Sequence, residues 1–427
     1  MSAAYLTIIL FFVFMMLGVP VSVSMVLGLI FSLLVFDVYP LASIITLFYS
    51  SLDSYLLVAI PLFMLAGISM SYGGIARRLF DFSESILSFL PGSLGAVIIM
   101  ANMIFGGISG SSVAAVAGLG SVALKEMVTR KYPLKYSIAI IVASSTMAVI
   151  IPPSILMIIY ASIADTSAGE MLAAGLIPGI IISLLLMVVN TFYAFKYKWY
   201  ETKKISIKNI SRTGVLGLPA LLAPVIILGG IFLGTFTPTE ASAIAFIYCL
   251  GVGFFIYREL NAKGLYSLFY EGGRITGIVA LELGSGLLFS NIITIEGIPE
   301  TLSASISGIT TSPWIIMLML NLVLLIAGMF LNPGFAIIVF TPLLLPLAQS
   351  AGYDAVHFGV IMVINLALGL ITPPVGGCLY IGSVVSGLKI EQMVKDLLPF
   401  YLVLAIALIL VILFPQISLG FVEMIYK

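Results

Sequence analysis

Apolar runs of about 20 residues follow one another along nearly the whole chain, and each is long enough to cross a bilayer. Polar positions fall in short breaks between the runs. The sign of the charge sorts these breaks into two groups. One is basic: Arg77 and Arg78; Lys125, Arg130, Lys131 and Lys135; Lys196, Lys198, Lys203, Lys204, Lys208 and Arg212; Arg258, Lys263 and Arg274; Lys389 and Lys395. The other carries acids alone: Asp37 and Asp53, Asp165 and Glu170, Glu240, Glu296 and Glu300, Asp354. Only Lys427, the last residue, is left over. Basic loops mark the cytoplasmic side. The N-terminus is therefore expected in the cytoplasm and the C-terminus on the opposite side.

Parity then constrains the crossings. Residues 4–36 are expected to go out and 54–72 to return. The stretch 92–124 starts and ends near basic clusters, so it reads as a re-entrant hairpin opening inward. Residues 135–163 go out, 171–195 return and 214–235 go out. Residues 241–257 return and 274–293 go out. The stretch 313–348 lies between acidic breaks and reads as a second hairpin, opening outward. Residues 355–386 go in and 399–422 go out.

Composition agrees with this all-α polytopic membrane reading, and the lipid bilayer is the first partner it implies. Hydrophobic residues make up 61% and charged residues 8%, far from the soluble norm. No run alternates as an outer-membrane strand does. The formal net charge is zero, which gives no reason to expect nucleic acid as a partner. Cys249 and Cys378 sit in separate apolar segments and read as packing residues, not as a disulfide or metal site. The N-terminus is apolar at once and lacks a basic leader region, so its first helix is expected to be retained.

The pattern occurs twice. "VIIPPSIL" (149–156) echoes "LITPPVGG" (370–377), so that Pro152 and Pro153 become Pro373 and Pro374. The same shift carries Tyr132 to Tyr353 and Gly107 to Gly328. Further upstream "GGIARRL" (73–79) faces "EGIPETL" (296–302), and "VPVSVS" (19–24) faces "TPTEAS" (237–242). Each half holds two crossings, a hairpin, a proline-broken crossing and a final crossing. Residues 1–195 form the first half and 236–427 the second. Residues 196–235 supply a basic linker and one connecting helix, so the second half is inverted. Inverted repeats with broken helices are the signature of secondary transporters.

Irregular backbone inside a bilayer is tolerated only where it is buried in protein or lines a polar cavity. The first hairpin tip reads "FGGISGSSVA" (105–114) and the second "GMFLNPGFA" (328–336). Tips and breaks offer carbonyls and hydroxyls, hard ligands for a small cation, while helix N-termini favour an anion. Two or more Na⁺ ions moving with an anionic solute suit that combination. The first candidate Na⁺ site takes Ser109, Ser111 and Ser112 with the carbonyls of Ala148 and Ile151 beside Pro152, since a proline frees the carbonyl four residues earlier. The second takes Gly328, Asn332, Gly369 and Thr372 beside Pro373. Thr372 is a stronger candidate than any single serine, because membrane serines often only pack or bond back to the preceding turn. Gly106 and Gly110 also fit a small-residue packing motif. Gly110, Pro153, Pro333 and Pro374 are the candidate substrate contacts.

Three other polar residues are weighed. Glu282 is the deepest acid, and it reads as a coupling group or as a partner of Arg274 two turns earlier. Glu240 follows "FTPT" at a helix start and reads as structural. His357 is the only histidine and reads as a hydrogen-bonded residue at the outer end of a crossing. "GISG" (107–110) also fits an intramembrane serine protease with Ser109 as nucleophile and His357 as base. That alternative needs the two within hydrogen-bond reach, and the topology puts them on opposite sides.

The stretches 49–82, "GGISGSSVA…GLGS" (106–121), "IIPPSILMIIY" (150–160), "FTPTEASAIA" (236–245) and "VHFGVIMVINLALGLITPPVG" (356–376) together resemble the large membrane subunit of tripartite ATP-independent periplasmic (TRAP) transporters. The resemblance covers almost the whole chain in order. It implies a Na⁺-driven importer of organic acids, of sialic acid or C4-dicarboxylate type, in the bacterial inner membrane, with the C-terminus periplasmic. It implies an elevator, in which hairpins and broken helices slide against a scaffold. It implies two partners: a small four-helix membrane subunit, expected as a separate chain, and a periplasmic substrate-binding protein. Many relatives have Asp where this chain has Asn332, which removes a counter-charge for Na⁺. A stand-alone Na⁺/dicarboxylate symporter is the alternative with related architecture.

Overall fold

The computed structural model describes residues 3–36, 40–199 and 206–426. Asp37, Lys203 and Lys204, used above to assign sides, and Lys427 lie outside them. Every regular element among the described residues is helical. Eight helices are long and apolar enough to cross a membrane, and two bent pairs raise that number to ten.

The expected single crossing over 4–36 is instead two helices, α1 (Ala3–Met16) and α2 (Val21–Phe36). Gly18 takes φ +84° and Pro20 follows, so the chain reverses. A Cβ on Gly28 would lie 3.0 Å from the Thr7 carbonyl oxygen, so the two backbones nearly touch. One continuous helix of that length would reach roughly 50 Å, well beyond the hydrocarbon core. Next come α3 (Leu41–Leu52) and α4 (Ala59–Tyr72), joined through a one-turn helix at Leu56–Val58. The chain bends by 69° between them, so the crossing expected at 54–72 has a second limb that the sequence reading left as loop.

The stretch 73–91, expected to be a polar break, contains α5 (Ile75–Leu87). Its buried Ile75, Leu79, Phe80 and Ser83 share one face at helical spacing. Gly74 starts it with φ +72°. Arg78 pins that start: it donates to the Gly74 carbonyl at 2.9 Å, pairs with Glu259 at 2.5 Å and lies 4.0 Å over the Tyr257 ring.

The first hairpin is α6 (Ser93–Ser109) and α7 (Ser112–Thr129). The first broken crossing is α8 (Leu134–Ser145), α9 (Met147–Ile150) and α10 (Ile155–Ile163), bent by 41°. Then come α11 (Ala168–Tyr197), α12 (Ile207–Phe232) and α13 (Pro238–Gly251). Helix α12 already contains Lys208 and Arg212, which were expected in the linker. Thr237 and Glu240 form a full capping box at the start of α13, the structural role expected of Glu240.

Helix α14 (Ala262–Ile295) is followed by α15 (Ile298–Ile309), again in a stretch expected to be a polar break. The second hairpin is α16 (Pro313–Phe330) and α17 (Pro333–Ser350). The second broken crossing is α18 (Ala355–Gly369) and α19 (Gly377–Ser386). The expected last crossing, 399–422, starts earlier as α20 (Ile390–Leu413) and breaks at Pro415 before α21 (Gln416–Tyr426). The starts of α7 and α17, and of α8 and α18, are each 221 residues apart. The Pro152–Pro153 and Pro373–Pro374 bonds are both cis.

Each hairpin leans on one of the two proline breaks. A Cβ on Gly106 of α6 would strike the Ala148 backbone of α9. A Cβ on Gly369 of α18 would lie 2.5 Å from the Gly328 carbonyl carbon of α16. Only residues without a side chain let these backbones approach so closely.

Candidate functional site

The two hairpin tips and the two breaks meet around one cavity of about 310 Å³. Four helix N-termini contribute to its wall: Ser112 and Val113 of α7, Ile155 and Leu156 of α10, Pro333 and Gly334 of α17, and Gly377 of α19. Helix ends of the opposite polarity reach it through Val149 of α9 and Gly328 to Phe330 of α16. Met64 of α4 and Val279, Glu282 and Leu283 of α14 also line it. An N-terminus carries roughly +0.5 elementary charge and unpaired N–H groups, so the tip side of the cavity suits an anion.

Local chemistry builds both tips. At the first, Gly110 ends α6 at φ +60°, a conformation open to glycine, and its Cβ position is closed off by Ile155 of α10. Ser111 then caps α7, accepting the Ala114 N–H at 3.3 Å. At the second tip Asn332 plays that part, accepting the Gly334 N–H through Oδ1 at 2.9 Å. Ser111 and Asn332 thus have hydrogen-bonding work at the helix start. Ser109 and Ser112 differ: both hydroxyls are buried and lack a hydrogen-bond partner among the described residues.

The breaks treat their freed carbonyls differently. Pro152 and Pro153 have no N–H to give Ala148 and Val149. Ser154, which the sequence reading missed, donates to the Val149 carbonyl at 2.5 Å and caps α10. At the second break the expectation that carbonyls near Gly369 are stranded is corrected. The Gly369 carbonyl accepts from the Thr372 N–H at 3.0 Å, and the Leu370 carbonyl accepts from the Cys378 N–H at 3.0 Å. The Thr372 hydroxyl donates to the Leu368 carbonyl at 2.7 Å, the bond-back pattern that had been weighed against the serines. Each carbonyl keeps a second lone pair. The Gly376 N–H reaches across to the Met329 carbonyl at 3.3 Å and ties the second break to its tip. Ile151 and Pro152 to Ser154 are buried, whereas Pro374 and Val375 are exposed.

Of the residues singled out in the sequence, Gly110, Ser111, Ser112, Gly328, Asn332 and Pro333 line the cavity. Ser109, Ala148, Ile151, Pro152, Pro153, Gly369, Thr372, Pro373 and Pro374 stand behind it in the tips and breaks, outside its wall. Glu282 is the only charged residue among those that line it. It forms no ion pair with Arg274, so that suggested pairing is corrected. His357 is buried and its Nδ1 lies 2.6 Å from the Ser418 Oγ of α21. Its bond is to Ser418 and the Ser109 hydroxyl has none, so the protease dyad is not formed. Among the described residues no cluster of three His, Cys, Asp or Glu side chains stands ready for a transition metal. Both cysteines are free and buried.

Comparison with known proteins accords with this geometry. Residues 8–417 match the family model described as the tripartite ATP-independent periplasmic transporter, DctM component. The chain is 37% identical to the C4-dicarboxylate TRAP transporter large permease of Pseudomonas aeruginosa, over 91% of each chain. It is 36% identical to the sialic acid TRAP transporter large permease of Vibrio cholerae, over 86% of each. It is 37% identical to the isethionate TRAP transporter permease DctMQ of Oleidesulfovibrio alaskensis, covering 96% of this chain and 65% of that one. A multi-pass helical chain whose broken helix ends gather at one cavity, and which aligns with these permeases nearly from end to end, belongs to the TRAP transporter large permease family: it is a membrane transport protein and not an enzyme.

Proposed function

We propose that the chain is the large transport subunit of a Na⁺-coupled, binding-protein-dependent importer of organic acids in the bacterial inner membrane. The observation that carries this is the single cavity enclosed by two tips and two breaks, with four helix N-termini in its wall. The substrate carboxylate binds at those N-termini, since no Lys, Arg or His lines the cavity among the described residues. Na⁺ binds where the tips meet the breaks. The first site uses the unpartnered hydroxyls of Ser109 and Ser112 and the carbonyl of Ala148, which has no donor four residues on. Gly328, Gly369, Asn332 and Thr372 supply oxygens for the second. Asn332 still caps α17, as an Asp would, without the extra charge.

The two halves act as inverted repeats, and the recurrence of helix starts 221 residues apart supports that reading. Hairpins and broken helices move together as an elevator against a scaffold that includes α4 and α14. The N-terminus is cytoplasmic and the C-terminus periplasmic. The names of the relatives favour an organic acid of C4-dicarboxylate or sialic acid type. The partners are a small membrane subunit and a periplasmic binding protein. The DctMQ relative, about a third of which lies outside the aligned region, fits a fusion of two permease parts.

Proteoliposome uptake separates this reading from the stand-alone symporter. Uptake is expected only when the small subunit and the cognate binding protein are both supplied. Full-rate uptake by this chain alone would establish the symporter instead.

A further inference from the structure

Glu282 is the only charged residue on the cavity wall, and no hydrogen bond or ion pair engages its carboxylate among the described residues. An unpaired carboxylate within a membrane helix is costly and needs a reason. Its position supplies one. Glu282 lies on α14 with Val279 and Leu283, while the four helix N-termini enter the wall from the tips and breaks. Partial positive charge thus comes from the N-termini of α7, α10, α17 and α19, partial negative charge from the ends of α9 and α16, and the one full charge among the lining residues from Glu282 of α14. An acid held by its carboxylate at the N-termini shares the cavity with Glu282.

We infer that Glu282 selects the far end of the substrate, so that the permease takes monocarboxylic acids bearing hydroxyl or amino donors away from the carboxylate and disfavours simple dicarboxylates. A hydroxyl or ammonium group donates to the Glu282 carboxylate and meets its unsatisfied acceptors. A second carboxylate brings a like charge into a cavity with no basic side chain among its described lining residues to offset it. The neighbouring Met64, Val279 and Leu283 are apolar and give such a charge nothing in return. Selectivity then depends on the substrate's donor count at one end, because a site built to accept hydrogen bonds rejects an analogue that cannot supply them.

This inference rests on the organic-acid reading above. Its test uses two four-carbon acids matched in length, threonate with three hydroxyls and succinate with a second carboxylate. The large subunit, purified with its small subunit, is titrated with each acid in Na⁺ buffer and in choline buffer, and thermal stabilisation is followed. In Na⁺ the wild type is expected to respond to threonate at about tenfold lower concentration than to succinate. Glu282→Gln is expected to bring the two within about twofold, mainly by improving succinate, and Glu282→Asp to keep the wild-type order. Succinate equal to or better than threonate in the wild type overturns the inference, as does an unchanged ratio in Glu282→Gln, or no response to either acid. Repeating the titrations across pH separates a proton carrier: a pH dependence lost in Glu282→Gln with the acid ratio intact also overturns it. Equal responses in choline and Na⁺, with the threonate preference kept, would sink Na⁺ coupling and leave the Glu282 assignment standing.

Discussion

Gly369→Ala is expected to lower uptake by about 100-fold while the protein still inserts and folds. The new Cβ would lie 2.5 Å from the Gly328 carbonyl carbon and 2.6 Å from its Cα. Both are backbone atoms, so no side chain can swing aside. Helices α16 and α18 must part where the second hairpin meets the second break. Overpacking of this kind costs about 1–3 kcal/mol, which a large helical protein survives. The same displacement carries along Gly328 to Asn332, which form cavity wall, and the Gly369 carbonyl assigned to Na⁺. A loss of function larger than the loss of stability follows. Gly229→Ala, where an added Cβ meets nothing within 4 Å, is the control and should transport normally. Uptake by Gly369→Ala at the control rate would mean that this backbone contact is no part of the transport site. Uptake rate and melting temperature on the same preparations check the prediction.

Ser109→Ala is expected to raise the Na⁺ concentration for half-maximal uptake by about tenfold or more without destabilising the protein. The combination is diagnostic. Ser109 is 3% exposed and its hydroxyl has no protein partner. Replacing an unsatisfied buried hydroxyl by a methyl group is neutral or stabilising by up to about 1–3 kcal/mol in the absence of ligand. A serine with a packing or back-bonding role would show the reverse, a lower melting temperature and an unchanged Na⁺ response. Ser112→Ala should behave in the same way, since its hydroxyl is equally buried and unpartnered. Melting curves in choline and Na⁺ dose–response curves for both variants read the two quantities separately.

The tips and breaks were legible because glycine, proline and serine interrupt apolar runs for local reasons. Gly110 with Ser111, and Asn332 with Pro333, spell a helix end and a new cap within a few residues. The reversal between α1 and α2 was hidden because Gly18 and Pro20 sit in a run without a single charged residue. Its length was the available signal, since 33 residues are too many for one straight crossing. Helices α5 and α15 were missed because charged residues were counted as loop. The helical spacing of Ile75, Leu79 and Phe80 was there to find. The donors to Gly369 and Leu370 were harder. The Leu370 carbonyl is satisfied by Cys378 across the break, and Met329 is reached from Gly376, contacts fixed only once the break has folded against the tip. The same holds for Glu282: its depth was visible in the sequence, but its place on the cavity wall depends on the packing of α14 beside the hairpins.

Na⁺ coupling at the paired tips and breaks is tested most directly by uptake in proteoliposomes holding the large and small subunits with the cognate binding protein. Two gradients are compared, one of Na⁺ at uniform pH and one of protons in Na⁺-free buffer. Accumulation of the organic acid is expected with the Na⁺ gradient alone, and collapse of that gradient should stop it. Full-rate accumulation on the proton gradient without Na⁺ would contradict the assignment of these oxygens to Na⁺.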